Sequence, residues 1–186
     1  SGGSGEGSTG VLIADDALVA HSVVRGGETD GVGVEVQKSG TAVLLNNVIV
    51  AGATDVLGPA VWAGSDPGGA ASLTMHHNLL WGANAQWLLN THKTISTVND
   101  CDDVVCVAST GNITGFPYFV DSDGGDFHLQ PISPGQGAGQ DPTAWVPVTL
   151  EDLDGDVHGA DGVWAIGLDA TGWPALGTCH GGEALY

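Results

Sequence analysis

Carboxylates are the first residues in this sequence with the numbers and spacing to do chemistry. The 186-residue chain sets 22 Asp and Glu against 3 Lys and Arg, for a formal charge of −19. Neighbouring acids such as Asp15 with Asp16, Asp102 with Asp103, and Asp121 with Asp123 are pairs from which glycoside hydrolysis could draw its two carboxyl groups. All of them fall at turns, where Asp is equally expected for its local hydrogen bonds. A polysaccharide lyase would need a cationic base in a basic cleft. Arg25, Lys38 and Lys93 are scattered, and so acidic a surface would repel a polyuronate. Asp121, Asp123 and Asp126 on one Gly-flexible turn, and Asp152, Asp154 and Asp156 on another, supply the oxygen density that calcium takes. The second run starts like an EF-hand loop but has Val157 in place of its Gly and Val163 in place of its final Glu. The expectation is therefore calcium on irregular turns, weighed against turns that are simply structural.

The remaining reactive side chains form no spaced ligand pattern. The His residues are His21, His76, His77, His92, His128, His158 and His180, and His76 and His77 would face opposite sides of a strand. Cys101 and Cys106 are close enough for a small disulfide loop around Asp102 and Asp103, the alternative being two buried free thiols; Cys179 is left over. No C-x-x-C or spaced His pair points to zinc. Three scattered cations exclude a nucleic-acid partner, which needs clustered Lys and Arg, and the same sign disfavours anionic membranes. No apolar run reaches the roughly 18 to 20 residues of a membrane span. The best, Ala42 to Ala53, is broken by Asn46 and Asn47. The chain opens on Ser1-Gly2-Gly3-Ser4-Gly5 and its sole Met is Met75, which reads as a processed piece that is secreted or displayed at the cell surface.

Thirty-one Gly and few helix formers point to a turn-rich β architecture. Short β-rich runs recur in threes: around Val11, Ala17 and Val23; Val34, Ala42 and Val48; Val61, Leu73 and Leu79. A fourth set is looser, with Trp87, Thr94 to Thr97, Val104 to Val107, and Ile113. Ser22, Asn47, Asn78 and Asn112 mark the third run of each set, 25, 31 and 34 residues apart. Strands this short, stacked three per coil, describe a right-handed parallel β-helix of about four coils. Asn47, Asn78 and Asn112 then fall in one column, where each inward amide, both donor and acceptor, can bond to the next. The residues before them, His21, Asn46, His77 and Gly111, read as outward corner residues.

Asn46-Asn47-Val48-Ile49-Val50-Ala51-Gly52 and His77-Asn78-Leu79-Leu80-Trp81-Gly82 resemble the repeat of the pectate-lyase-like superfamily of parallel β-helix proteins. Phe119 to Pro131, with the Ser133-Pro134 turn and the Gly-rich exit to Gly139, is similar to the closing segment of secreted bacterial members. Asp154-Gly155-Asp156 and Ile166-Gly167 match the elements that follow, although Ala165 stands where an acid is usual. The resemblance implies polysaccharide chemistry, for which the residues above give no aligned pair. The division read from the sequence is a Gly/Ser-rich segment, 1–10, β-helix coils, 11–130, and a C-terminal capping segment, 131–186. Trp145, Trp164 and Trp173 would cap the last coil or, alternatively, stack on sugars. The functional expectation is a non-catalytic extracellular or cell-surface structural module. Its first coil has nothing apolar before it to cover its edge, so it would assemble head-to-tail with copies of itself or continue a longer protein. The alternatives are a fragment of a carbohydrate-active enzyme and a carbohydrate-binding adhesive module with extracellular polysaccharide as partner.

Overall fold

The computed structural model describes residues 9–27, 31–37, 39–52, 58–66, 69–82, 86–88, 91–146, 151–152, 154–155, 157–159 and 162–168. Lys38, Asp156, Trp173, Cys179 and His180 lie outside them, as does most of the 1–10 segment. The chain makes repeated laps through three strand positions. The first lap is β1 (Val11–Ile13), β2 (Ala17–Ala20) and β3 (Val23–Arg25); the second is β4 (Val34–Val36), β5 (Thr41–Leu45) and β6 (Val48–Val50). The third has β7 (Val61–Ala63), a small antiparallel hairpin of β8 (Ser65–Asp66) and β9 (Gly69–Ala70), then β10 (Ser72–His76) and β11 (Leu79–Trp81). The fourth holds β12 (Gln86–Leu88), β13 (Thr91–His92), helix α1 (Ile95–Asn99), β14 (Cys106–Thr110) and β15 (Ile113–Thr114). A hairpin of β16 (Phe119–Asp121) and β17 (Asp126–Leu129) follows.

Each strand pairs in parallel with its equivalent one lap away, so three sheets run β1-β4-β7-β12, β2-β5-β10-β14 and β3-β6-β11-β15, the first extended by antiparallel β13. The architecture is all-β and mostly parallel, which is compatible with a parallel β-helix. Registers are in step: Val23, Val48 and Leu79 align, and so do Ala42 and Leu73. One apolar core is shared by all three sheets, with Val34, Val36 and Val61 from the first, Leu44, Leu73 and Met75 from the second, and Ile49 and Leu80 from the third. Alternation along the strand sends Val48 and Leu79 to the other face of the third sheet. That face is not solvated: Leu129 of β17 and Ile166 cover it in a second core.

Two elements depart from the sequence reading. Thr94 to Thr97, read as a strand because of its β-branched residues, instead opens α1, whose N-cap Thr94 accepts a hydrogen bond from the Thr97 N–H at 3.2 Å. The helix buries Val98 and packs Ile95 against the shared core. The segment after residue 130, expected as a cap on the last coil, runs lengthwise along the laps in its described part. Gly115 of the fourth lap faces Pro134, His77 of the third faces Ala138, Asn46 of the second faces Gln140, and His21 of the first faces His158 and Trp164. We call this segment the strap. Its two limbs are tied by Gly139 N–H to the Trp164 carbonyl (2.7 Å) and Ile166 N–H to the Gly135 carbonyl (2.9 Å).

Candidate functional site

Where each third strand begins, the chain turns a corner, and two columns of polar residues stack there. Asn47, Asn78 and Asn112, all buried, form the inner column. The Asn78 carbonyl oxygen Oδ1 accepts from both the N–H and the Nδ2 of Asn47, at 3.0 Å each; Asn112 Oδ1 accepts the same pair from Asn78 at 3.0 and 2.9 Å. The spare Nδ2 protons go to the backbone carbonyls of Val19, Leu44 and Met75. Ser22 begins the column by donating its N–H to Asn47 Oδ1 at 3.1 Å. A further member was not expected. Asn99, at the end of α1, accepts from the N–H and Nδ2 of Asn112 (3.0 and 2.9 Å) and returns its own Nδ2 to the Asn112 carbonyl. The helix thus supplies the rung a fifth lap would have supplied. Cys101 and Cys106 form a disulfide, Cα atoms 5.4 Å apart, that joins the end of α1 to the start of β14.

The outer column is His21, Asn46, His77 and Gly111, one residue before each rung. All four are left-handed, with φ of 46, 53, 51 and 65°. The chain reverses here too sharply for ordinary backbone, a conformation that Asn and His tolerate better than most side chains. Gly is required at the fourth corner because a Cβ on Gly111 would lie 2.6 Å from the His77 ring. Expected to face outward, these residues do leave the core, but the strap then covers them. Asn46 is fully buried and His21 is only 6% exposed. Asn46 Oδ1 accepts the Gln140 N–H at 3.0 Å while its Nδ2 donates to the Gln140 carbonyl at 2.7 Å and to His21 Nε2 at 3.0 Å. The His21 ring packs 4.3 Å from that of His158, itself 3% exposed and stacked with Trp164. Burial, then the neighbouring His158, lowers the His21 pKa to about 4. Burial also lowers His158, opposed by Asp152, and lowers His76, helped by His77.

The acidic turns lie elsewhere. Asp121 Oδ1 accepts from the Gly124 N–H, and Asp152 Oδ1 from the Asp154 N–H. His128 links the two expected calcium turns, with Nδ1 2.6 Å from Asp126 and Nε2 3.2 Å from Asp154. Hydrogen bonds from His128 lower the Asp126 pKa. Asp123 is exposed, and Asp156 lies outside the described residues. Among the described residues no three His, Cys, Asp or Glu converge on a metal position. Of the other acid pairs, Asp103 is bound to Lys93 at 3.0 Å, and Asp15 and Asp16 stand exposed in the turn between β1 and β2.

A separate surface feature is aromatic. Trp81, Phe116 and Tyr118 are exposed and meet edge to face, with ring centroids 5.3 and 4.9 Å apart. Tyr118 is held at φ 53°, an uncommon state for a bulky residue. Comparison with models of protein families, with curated proteins and with solved structures returns no match to this chain.

Proposed function

We propose that this chain is a non-catalytic, extracellular or cell-surface structural module, a right-handed parallel β-helix akin to the pectate-lyase-like superfamily, that self-associates through its first coil. The observation that carries the reading is the difference between the two ends of the laps. At one end α1 and Asn99 occupy the position of a next coil. At the other, β1, β2 and β3 are the end strands of all three parallel sheets, with Leu12 and Leu18 exposed. Edge strands of this kind recruit further strands. The helix at the far end disfavours open head-to-tail growth and favours first-coil edges meeting in a closed pair. Repulsion between copies of charge −19 makes such a pair salt-dependent. Light scattering across sodium chloride concentrations tests it. A dimer that forms with added salt and is lost in Leu12→Lys with Leu18→Lys is the expected result; monomers at every salt concentration would overturn it, and fibres in electron microscopy would restore head-to-tail growth.

A second reading, carbohydrate binding, is favoured by the exposed row of Trp81, Phe116 and Tyr118. Aromatic faces suit uncharged sugar rings, and the acidic surface rejects polyuronates. Retention on insoluble neutral polysaccharide that is lost in Trp81→Ala would establish it.

A further inference from the structure

The geometry around His21 points to an acid-operated latch: protonation of His21 releases the described part of the strap after residue 150 from the first two laps while the rest of the strap stays in place. Asn46 fixes where the protons lie. Its amide cannot turn over, because Oδ1 takes the Gln140 N–H and Nδ2 gives a proton to the Gln140 carbonyl, both of them backbone groups of fixed polarity. The other Nδ2 proton therefore points at His21 Nε2, 3.0 Å away. That nitrogen must accept, so His21 is neutral and carries its proton on Nδ1. Among the described residues Nδ1 has no hydrogen-bond partner, and neither has Nδ1 of His158.

A proton added to His21 can go only to Nε2, where it meets the Asn46 Nδ2 proton head on. The surroundings offer no relief. From the strap, His21 faces the His158 ring and, at 5.9 Å, that of Trp164; from its own laps it faces the amide of Asn46. Among the described residues Asp152 favours charge on His158, and it is burial and His158 that act on His21. A charged imidazole so placed must move to water, and the depressed pKa of the buried ring records that cost. Moving it breaks the contact with His158 and Trp164 and loosens Asn46, whose carbonyl also holds the Gly167 N–H at 2.7 Å. Anchors farther along the strap, His77 to the Ala138 carbonyl and Ser133 N–H to the Gln130 carbonyl, do not involve His21. The opening is therefore local, and it breaks the two bonds between the limbs, Gly139 N–H to the Trp164 carbonyl and Ile166 N–H to the Gly135 carbonyl. It uncovers the outer face of the third sheet at Val23 and Val48, beneath Gly167 and Ile166.

Amide hydrogen exchange on the full chain, corrected for the intrinsic pH dependence of exchange, tests this between pH 7 and 3. Protection of Ile166 and Gly167 should fall about tenfold per pH unit from 6.5, the ordinary His value that the released ring regains, down to about 4 and level off below it, while that of Val34 and Leu79 stays constant. His21→Asn, which suits the left-handed corner and cannot titrate, should abolish the fall. Proton NMR of the wild-type ring provides a readout independent of that variant's folding, and the His21 titration near 4 should coincide with the pH at which the loss of protection levels off. Uniform loss across sheets and strap, an unchanged response in a folded His21→Asn protein, or a ring that titrates without any change at Ile166 would each overturn the latch.

Discussion

Replacing Asn78 by Ala takes out the middle rung of the amide column. Its Oδ1 serves the N–H and Nδ2 of Asn47, and its Nδ2 serves the Leu44 carbonyl and Asn112 Oδ1. Two of these groups have a second partner: Asn47 Nδ2 keeps the Val19 carbonyl, and Asn112 Oδ1 keeps the Asn78 backbone N–H. The Leu44 carbonyl also keeps the His76 N–H of the parallel ladder, so the buried Asn47 N–H is the group left without its partner. At about 1 to 3 kcal/mol for a buried group left unsatisfied, the loss is of that order, its lower end applying if water enters the vacated space. In a chain of this size that lowers the melting temperature by about 2 to 12 °C. Asn99→Ala is the internal reference, because Asn99 stands at the part-buried end of the same column. Solvent can replace it there, and about 1 kcal/mol is expected. Urea unfolding followed by circular dichroism, with unchanged slope, gives both values. A wild-type midpoint for Asn78→Ala, or a loss no larger than that of Asn99→Ala, would refute the idea that the column is a continuous buried network.

Reduction of the Cys101–Cys106 disulfide, or Cys101→Ser with Cys106→Ser, should cost about 2 kcal/mol for so short a loop and raise exchange at the Asn112 N–H, which α1 holds through Asn99. Gly139→Ala places a Cβ 2.5 Å from the Ala165 carbonyl oxygen, so the strap limbs must separate; a loss of about 1 to 3 kcal/mol confined to strap amides is the expected result of hydrogen exchange. Calcium chloride is expected to raise the melting temperature beyond sodium chloride of equal ionic strength, and Asp154→Asn to remove the difference; equal shifts in the two salts would mark plain screening of the −19 charge.

The repeating part of the fold was legible because one pattern recurs: an Asn directly before an aliphatic residue, at Asn47, Asn78 and Asn112, in register with parallel strands that do pair. Asn99 was not, since it stands 13 residues before its partner Asn112, far less than any lap, and enters from a helix. That helix was misread because Ile95, Thr97 and Val98 are β-branched, and what selects the helical form is the Thr94 cap and the burial of Val98. The strap's course along the laps left almost no trace in the sequence. Its grip relies on backbone N–H and carbonyl groups and on isolated apolar residues such as Ala138 and Ile166, which follow no period. For the same reason His21 read as an exposed corner: the residues that bury it, His158 and Trp164, are over a hundred positions away.

The strap also sets an order of events during synthesis. Laps are made one after another, each pairing with the one before, so they can condense as they emerge. The strap traverses them in reverse, meeting the fourth lap through Pro134 and the first only through His158 and Trp164. The first-made strand of the third sheet, β3, therefore waits longest for its outer covering, since Ile166 and Gly167 arrive more than a hundred residues later. During that interval the nascent protein carries a bare apolar strip of Val23, Val48 and Leu79. Such exposure is a period of vulnerability to aggregation that ends when the strap closes over the first lap.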